Sequence, residues 1–138
     1  METRFKRLEV WKDSMILVKK VYGVTSSFPE SERFGLSSQL QRAIVSVASN
    51  IAEGSGRGTK RDFINFLNHA RGSLYEVMTQ LEIAVSLKYT SRENVEKFIE
   101  DCEGLARRIN ALINSMKSAK RSDEQRATSH ALEGDVIE

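Results

Sequence analysis

The sequence predicts an all-α protein, an antiparallel up-down-up-down four-helix bundle. Apolar residues recur three and four positions apart in four segments, which is the spacing of one helix face. Short connections join the segments, and such connections make consecutive helices antiparallel neighbours. No segment shows the strict alternation of a strand, and the 138 residues include only one proline. A chain of this length is the size of one domain and can bury a core without metal or disulfide support.

The first helix is expected from about Arg7 to Ser26, before Phe28-Pro29 stops it. Two apolar series run along this helix, about 100° apart around its axis. The first series is Leu8, Trp11, Met15, Val18 and Tyr22, and the second is Val10, Leu17, Val21 and Val24. We expect the first series to face the bundle core. The second series is then left over, and it is the candidate oligomer interface because a contiguous apolar patch usually marks an interaction site.

The second helix is expected to start within residues 31–34 and to end at Glu53. Its inward face is predicted to carry Leu36, Leu40, Ala43, Ile44, Val47 and Ile51. Three glycines follow within five residues. Gly54, the first of them, is expected just past the helix end, where glycine readily adopts the left-handed conformation that closes a helix.

The third helix is expected from Lys60 to about Lys88. Thr59, with Asp62 three residues later, resembles a capping box and marks its start. Its bundle-facing residues follow a seven-residue repeat of Phe63, Leu67, Ala70, Leu74, Val77, Leu81 and Ala84. This regular repeat predicts a long helix with one apolar side.

Ser91 is expected to cap the fourth helix, whose apolar side repeats in the same way. Its predicted core residues are Val95, Phe98, Cys102, Leu105, Ile109, Leu112 and Met116. Cys102 is the only cysteine and falls in this repeat, so we interpret it as a small buried hydrophobe. The periodicity is lost after Met116. We therefore predict a bundle domain over residues 1–116 and a polar, disordered tail over residues 117–138.

Charge gives only a modest indication of a partner. The net charge is +2, but residues 4–42 carry eight basic against four acidic side chains, whereas residues 91–116 carry four against five. Any basic surface should therefore belong to the first half of the chain and the turn that follows it. The sequence shows neither a signal-peptide apolar core nor a transmembrane-length segment, which predicts a cytoplasmic protein with no membrane partner.

Residues that could carry chemistry are few. A metal centre inside a bundle needs inward glutamates and Glu-x-x-His pairs, and neither His69 nor His130 has a glutamate at that spacing. The glycine-rich stretch 54–58 lacks the Gly-Lys-Ser/Thr ending of a phosphate loop, so a helix end and tight turn is preferred over an anion-binding loop. We expect no catalytic site, no cofactor and no metal.

A polar stripe runs beside the apolar face of the second helix and has a counterpart on the third. The residues concerned are Arg42, Ser46, Asn50 and Glu53 on the second helix, and Ser73, Glu76 and Gln80 on the third. When the two helices fold back on each other, Arg42 should come near Ser73 and Glu76. We interpret the paired stripes as hydrogen bonds and one ion pair that fix the register of the helices. A ligand-binding cleft is the alternative.

Several short strings occur in a fixed order along the chain. They are Leu8-Glu9-Val10-Trp11, Val21-Tyr22, Phe28-Pro29 with Phe34-Gly35-Leu36, Arg42-Ala43, Ser49-Asn50-Ile51-Ala52-Glu53-Gly54 with Gly56-Arg57, and Phe66-Leu67. Through them residues 5–116 resemble the four-helix-bundle proteins encoded by intervening sequences in bacterial 23S ribosomal RNA genes, a family also labelled ribosomal-protein-like. Three positions depart from the family pattern. Gln41, Ala48 and Lys88 stand where arginine, proline and glycine are common.

The resemblance implies a non-enzymatic bundle that forms a homo-oligomeric ring, with a pentamer as the implied stoichiometry. The family is also similar in fold to accessory proteins of diversity-generating retroelements, which work with a reverse transcriptase and nucleic acid. By this analogy the resemblance implies association with RNA or DNA.

Our leading hypothesis is a homo-oligomeric, nucleic-acid-associated scaffold. Arg57, Lys60 and Arg61 are its candidate phosphate contacts, because they lie at a helix start where backbone N–H groups are free. Ordinary solvated surface charges are the simpler interpretation of these three residues. The alternative function is a protein-interaction scaffold whose partner is another polypeptide, with no direct nucleic-acid contact.

Overall fold

Four α-helices and two short 3-10 turns make up the described part of the chain. The computed structural model describes the backbone of residues 4–137 and the side chains of residues 4–118, 125 and 126. The elements, in chain order, are a 3-10 turn at Arg4–Arg7, α1 at Glu9–Thr25, a 3-10 turn at Glu30–Glu32, α2 at Leu36–Ser55, α3 at Lys60–Ser86 and α4 at Arg92–Ile137. The predicted all-α four-helix bundle is confirmed.

Each helix packs against its two neighbours around one core, in the order α1, α2, α3, α4 and back to α1. Polar bonds link these neighbours from outside the core. Lys20 Nζ lies 2.6 Å from Asp101 Oδ2 between α1 and α4, and Arg71 donates to Asn110 between α3 and α4. Further pairs give the helix directions, because Arg108 contacts Asp13 on α1 and Arg92 contacts Glu82 on α3. Residue numbers rise along α1 and α3 while those of their partners on α4 fall, so α4 is antiparallel to both neighbours.

The inward face of α1 is centred on the second apolar series and not, as we predicted, on the first. The second series is the buried one: Val10, Leu17 and Val21 keep at most 7% of their surface exposed, and Val24 packs against the core. In the first series Met15 and Tyr22 are 37% and 48% exposed, while Leu8, Trp11 and Val18 are half-buried. The candidate interface of Val10, Leu17, Val21 and Val24 is therefore ordinary core.

Two small polar residues explain this error. Ser14 and Thr25 lie on the same face as the second series and interrupt its apolar pattern, yet both are buried. Each hydroxyl donates to a backbone carbonyl of its own helix, Ser14 Oγ to Trp11 O at 2.6 Å and Thr25 Oγ1 to Tyr22 O at 3.4 Å. A buried hydroxyl with a partner costs little, so these positions belong to the core face.

Gly54 lies inside α2 rather than past its end. The helix continues to Ser55, Gly56 is the C-cap, and the left-handed conformation occurs further on at Gly58, whose φ is +87°. Gly54 is buried where α2 crosses α3. A Cβ atom added there would lie 2.6 Å from Cβ of Phe66. The glycine is therefore required by the close approach of two helices.

The end of α3 has the left-handed conformation at a lysine. Lys88 has a φ of 62°, and its N–H donates to Val85 O at 3.0 Å while Tyr89 N–H donates to Ala84 O at 2.9 Å. This pair of bonds is the Schellman motif, in which glycine is preferred at the left-handed position. Lys88, which stands where glycine is common in the family, therefore has a strained backbone conformation that glycine would adopt without strain.

We expect Lys88→Gly to raise the free energy of unfolding by about 1 kcal/mol, because the left-handed strain of a residue with Cβ outweighs the added freedom of the unfolded chain. Urea denaturation followed by circular dichroism would measure the change. Ser86→Gly, at an exposed helical position two residues earlier, is the matched control and should lower stability by about 0.5 to 1 kcal/mol. A destabilised Lys88→Gly variant would contradict the assignment of strain.

The fourth helix is longer than we expect from its apolar repeat. Met116 is the last of its described residues that packs against the core, but α4 continues to Ile137 where the sequence predicts a disordered tail. The sequence of residues 117–137 contains no proline and has nine lysine, arginine, glutamate or alanine residues, all of which favour a helical backbone. Glu138 lies outside the described residues.

Candidate nucleic-acid interface

The turn between α2 and α3 presents two cations at the start of α3. The side-chain oxygen of Thr59 accepts a hydrogen bond from Asp62 N–H at 3.1 Å, which confirms the predicted cap. Lys60 and Arg61 follow in the first helical turn, and both side chains are exposed. Neither forms an ion pair with a side chain that the structure describes. Two of the three candidate phosphate contacts thus carry uncompensated charge beside a helix N-terminus.

Arg57, the third candidate, is engaged within the protein. Its guanidinium carbon lies over the ring of Phe66 at 4.8 Å from the centroid, and Nη2 donates to Glu53 Oε1 at 2.7 Å. The two charged side chains are 48% and 55% exposed. Glu53 therefore offsets the charge of Arg57, and the guanidinium is held against an aromatic face.

A second basic segment reaches the same end of the bundle from the chain start. The 3-10 turn Arg4–Arg7 packs against α2, and the guanidinium carbon of Arg4 lies 5.8 Å from the ring centroid of Phe63. Arg4, Lys6 and Arg7 are all exposed. We call the combined surface of Arg4, Lys6, Arg7, Arg57, Lys60 and Arg61 the basic end.

Charge is distributed unevenly along the bundle axis. The basic end has six cations, and residues 4–7 and 53–62, which form it, contain only two acidic side chains. At the opposite end, residues 26–36 and 82–96 carry five acidic against three basic side chains. An anionic partner is therefore attracted to one end and repelled from the other.

Sequence reasoning identified the turn but missed Arg4, Lys6 and Arg7. These residues lie about fifty positions from Arg57 in the chain, so no local pattern connects them. The predicted topology could have located them. In an up-down-up-down bundle the start of the first helix, the end of the second and the start of the third share one end.

In the middle of the predicted polar stripe, one hydrogen bond joins α2 to α3 and a second, within α2, supports it. Ser46 Oγ and Ser73 Oγ are 3.0 Å apart, and Asn50 Nδ2 donates to Ser46 Oγ at 2.9 Å. The ion pair expected between Arg42 and Glu76 is absent among the described residues, and both side chains are exposed. An ion pair between exposed side chains contributes little free energy, so closeness of Arg42 and Glu76 does not by itself make them pair.

The two ends of the stripe also differ from the prediction. Glu53 bonds to Arg57 within the turn rather than across the helix pair. Gln80 is buried with 5% of its surface exposed, and its Oε1 has no hydrogen-bond partner among the described residues. A register role thus remains a prediction for Ser46, Asn50 and Ser73 alone.

A shallow apolar groove of about 330 Å³ lies on the outer surface of α1 and α2. Its lining residues, with the adjacent exposed Tyr22, define what we call the α1–α2 apolar face: Phe5, Trp11, Met15, Val18, Tyr22, Val45, Ala48, Ser49 and Ala52. Trp11 packs edge-on against Phe5 with ring centroids 5.1 Å apart. Met15, Tyr22 and Val45 keep 37%, 48% and 42% of their surface exposed. The α1–α2 apolar face is therefore a continuous apolar surface that the bundle leaves partly exposed.

Two kinds of feature are absent from the described part of the chain. No helix there is long and apolar enough to span a membrane, and no cluster of three His, Cys, Asp or Glu side chains could hold a metal ion. Cys102 is fully buried, and burial raises the pKa of its thiol to about 12, so it stays protonated and packs as a small apolar residue.

The described part of the chain thus defines an all-α four-helix bundle that has a basic end and an apolar face on the outside of α1 and α2. The family model described as 23S rRNA-intervening sequence protein matches residues 6–111, and the chain belongs to this family. The resemblance seen in the sequence is thereby confirmed.

A solved structure supports the same assignment. The chain is similar to the crystal structure of a protein with unknown function from the S23 ribosomal protein family of Bacteroides thetaiotaomicron VPI-5482, with 26% sequence identity and a TM-score of 0.68. The alignment covers 75% of this chain and 97% of that one. Among curated protein sequences, none matches the chain significantly.

Proposed function

We propose that the protein is a non-enzymatic, homo-oligomeric scaffold that binds nucleic acid, RNA in the first place, through its basic end. The observation that carries the proposal is the convergence of two separate basic segments on one end of the bundle. Arg4 lies over Phe63, next to the helix start that bears Lys60 and Arg61. Cations from two segments form a broader surface for a phosphate backbone than one turn could offer.

Oligomerisation makes this surface effective. A few phosphate contacts per chain give weak binding, and each contributes about 0.7 to the salt slope for a single strand. In a cyclic ring, rotation about the axis brings every copy of the basic end to the same side. One nucleic acid could then contact several copies at once, which multiplies affinity without any new kind of contact.

We propose the α1–α2 apolar face as the surface that joins the subunits. It replaces the earlier candidate on α1, because Val10, Leu17 and Val21 are core residues. A ring requires this face to meet a different surface of the neighbouring subunit. The pentamer implied by the family resemblance is the proposed stoichiometry.

Light scattering tests the interface. We expect the native protein at micromolar concentration to have a mass of about five times the chain mass of 15.6 kDa, and Met15→Glu with Val45→Glu to yield folded monomers. Ile16→Glu is the matched control, because Ile16 is 55% exposed on the α1 side that faces α4. It should stay oligomeric. A native monomer, or a double variant that remains oligomeric, would contradict the proposal.

A scaffold for another polypeptide is the second candidate, because the same apolar face could receive a different chain. The two functions are separated by measuring binding of native protein to labelled RNA at low salt. A monomer that does not bind RNA or single-stranded DNA would favour the protein partner. Tight binding that weakens steeply as salt is raised would support the nucleic-acid scaffold.

A further inference from the structure

We infer that the basic end recognises unpaired bases, with Arg57 as a stacking platform rather than a phosphate contact. The inference rests on the proposed nucleic-acid function and names its substrate class as single-stranded nucleic acid. Its geometric basis is the guanidinium of Arg57, held over the Phe66 ring at 4.8 Å and bonded to Glu53 at 2.7 Å.

Two contacts orient the guanidinium in the free protein. A cation within about 6 Å of an aromatic centroid is attracted to the ring face, and the bond to Glu53 adds a second anchor. The guanidinium carbon lies over the Phe66 ring, and 48% of the Arg57 side chain remains exposed to solvent. Arg57 therefore offers a preordered planar surface, and unpaired bases stack on planar arginine groups as they do on aromatic rings.

The local charges favour the same division of roles. Glu53 already neutralises Arg57, so this arginine has little net charge to offer a phosphate. Lys60 and Arg61 make no ion pair with a described residue and can follow the backbone. Binding of single strands combines these two components, a cationic track and a flat stacking surface.

Open space on the turn allows a base to approach. Gly58 follows Arg57 directly, and nothing lies within 4 Å of the position that a Cβ atom would take there. A duplex cannot use the platform, because its base faces are covered by their neighbours in the stack. The geometry thus selects strands with accessible bases.

The test measures fluorescence polarisation of native protein with three labelled probes of about 12 nucleotides, a length within the range that single-strand sites occupy. The probes are an oligoadenylate, its duplex with oligouridylate, and an abasic strand of the same length. Arg57→Lys keeps the charge but removes the plane. Lys60→Gln is the matched control, because it removes a charge and leaves the platform.

Arg57→Lys should weaken oligoadenylate binding by about tenfold, as expected for the loss of one stacked base, with an unchanged salt slope. Its affinity for the duplex and the abasic strand should equal that of native protein. Lys60→Gln should weaken all three and lower the slope by about 0.7 on the single strands. Thermal melting by circular dichroism checks that both variants remain folded.

Four results would overturn the inference. Unchanged oligoadenylate affinity of Arg57→Lys, or equal losses on all three probes, would refute the platform while leaving the proposed function standing. Native protein that binds the duplex as tightly as the single strand would refute the substrate class. Native protein that binds none of the probes at low salt would refute the proposed function itself.

Discussion

Replacing Gly54 with valine should lower the free energy of unfolding by about 3 kcal/mol, the upper part of the range for overpacking a tight core. Cβ at this position would lie 2.6 Å from Phe66 Cβ and 3.1 Å from Phe63 Cδ1. The Phe66 contact involves Cβ, which a rotamer change cannot move away. The backbones of α2 and α3 must therefore separate along the most extensive helix contact in the bundle.

Urea denaturation with Gly72→Ala as control measures this effect. Gly72 is an exposed glycine inside α3 with nothing within 4 Å of its Cβ position, so alanine there should raise stability by about 0.5 to 1 kcal/mol. Opposite signs at the two glycines would show that packing, not backbone flexibility, decides the outcome at Gly54. A loss below about 0.5 kcal/mol for Gly54→Val would contradict the close approach.

The buried face of a regular helix was predictable where its sequence contains only one apolar series. In α3 the repeat of Leu67, Leu74 and Leu81 leaves one possible face, and all three are fully buried. In α1 two apolar series compete, and the choice between them depends on whether Ser14 and Thr25 can be buried. Their hydroxyl bonds to backbone carbonyls settle this, and periodicity contains no information about such bonds.

The roles of glycines and charged residues were also only partly predictable from the sequence. A glycine at a helix end indicates either a left-handed cap or a close contact, and only the position of Phe66 separates these roles for Gly54. The cations of the turn could be read from the sequence. The contact of Arg57 with Phe66 and the position of Arg4 over Phe63 could not, because they depend on the folded structure. The location of the candidate site was thus predictable, and the individual roles of its residues were not.

Reversing three cations of the basic end should weaken nucleic-acid binding by at least about 100-fold at low salt. Arg4→Glu, Lys60→Glu and Arg61→Glu remove three proposed phosphate contacts and put repulsive charges in their place. Losing three contacts to a single strand should also lower the salt slope by about 2. In an oligomer the effect is repeated in every subunit, so the measured loss should exceed that of one chain.

A second triple variant supplies the matched control. Lys19→Glu, Arg33→Glu and Lys88→Glu change the net charge by the same amount at exposed positions outside the basic end. Long-range attraction should weaken modestly in this variant, while the phosphate contacts remain. Because all six positions are exposed, both variants should melt close to the native temperature.

The affinity of native protein and both triple variants for one single-stranded RNA, measured as a function of salt, tests the central claim most directly. We predict tight, steeply salt-dependent binding by native protein, a slope and affinity close to native for the control, and a near loss of binding for the basic-end variant. Equal losses in the two triple variants would show that net charge, and not this surface, governs binding. Absence of native binding at low salt would contradict the nucleic-acid function altogether.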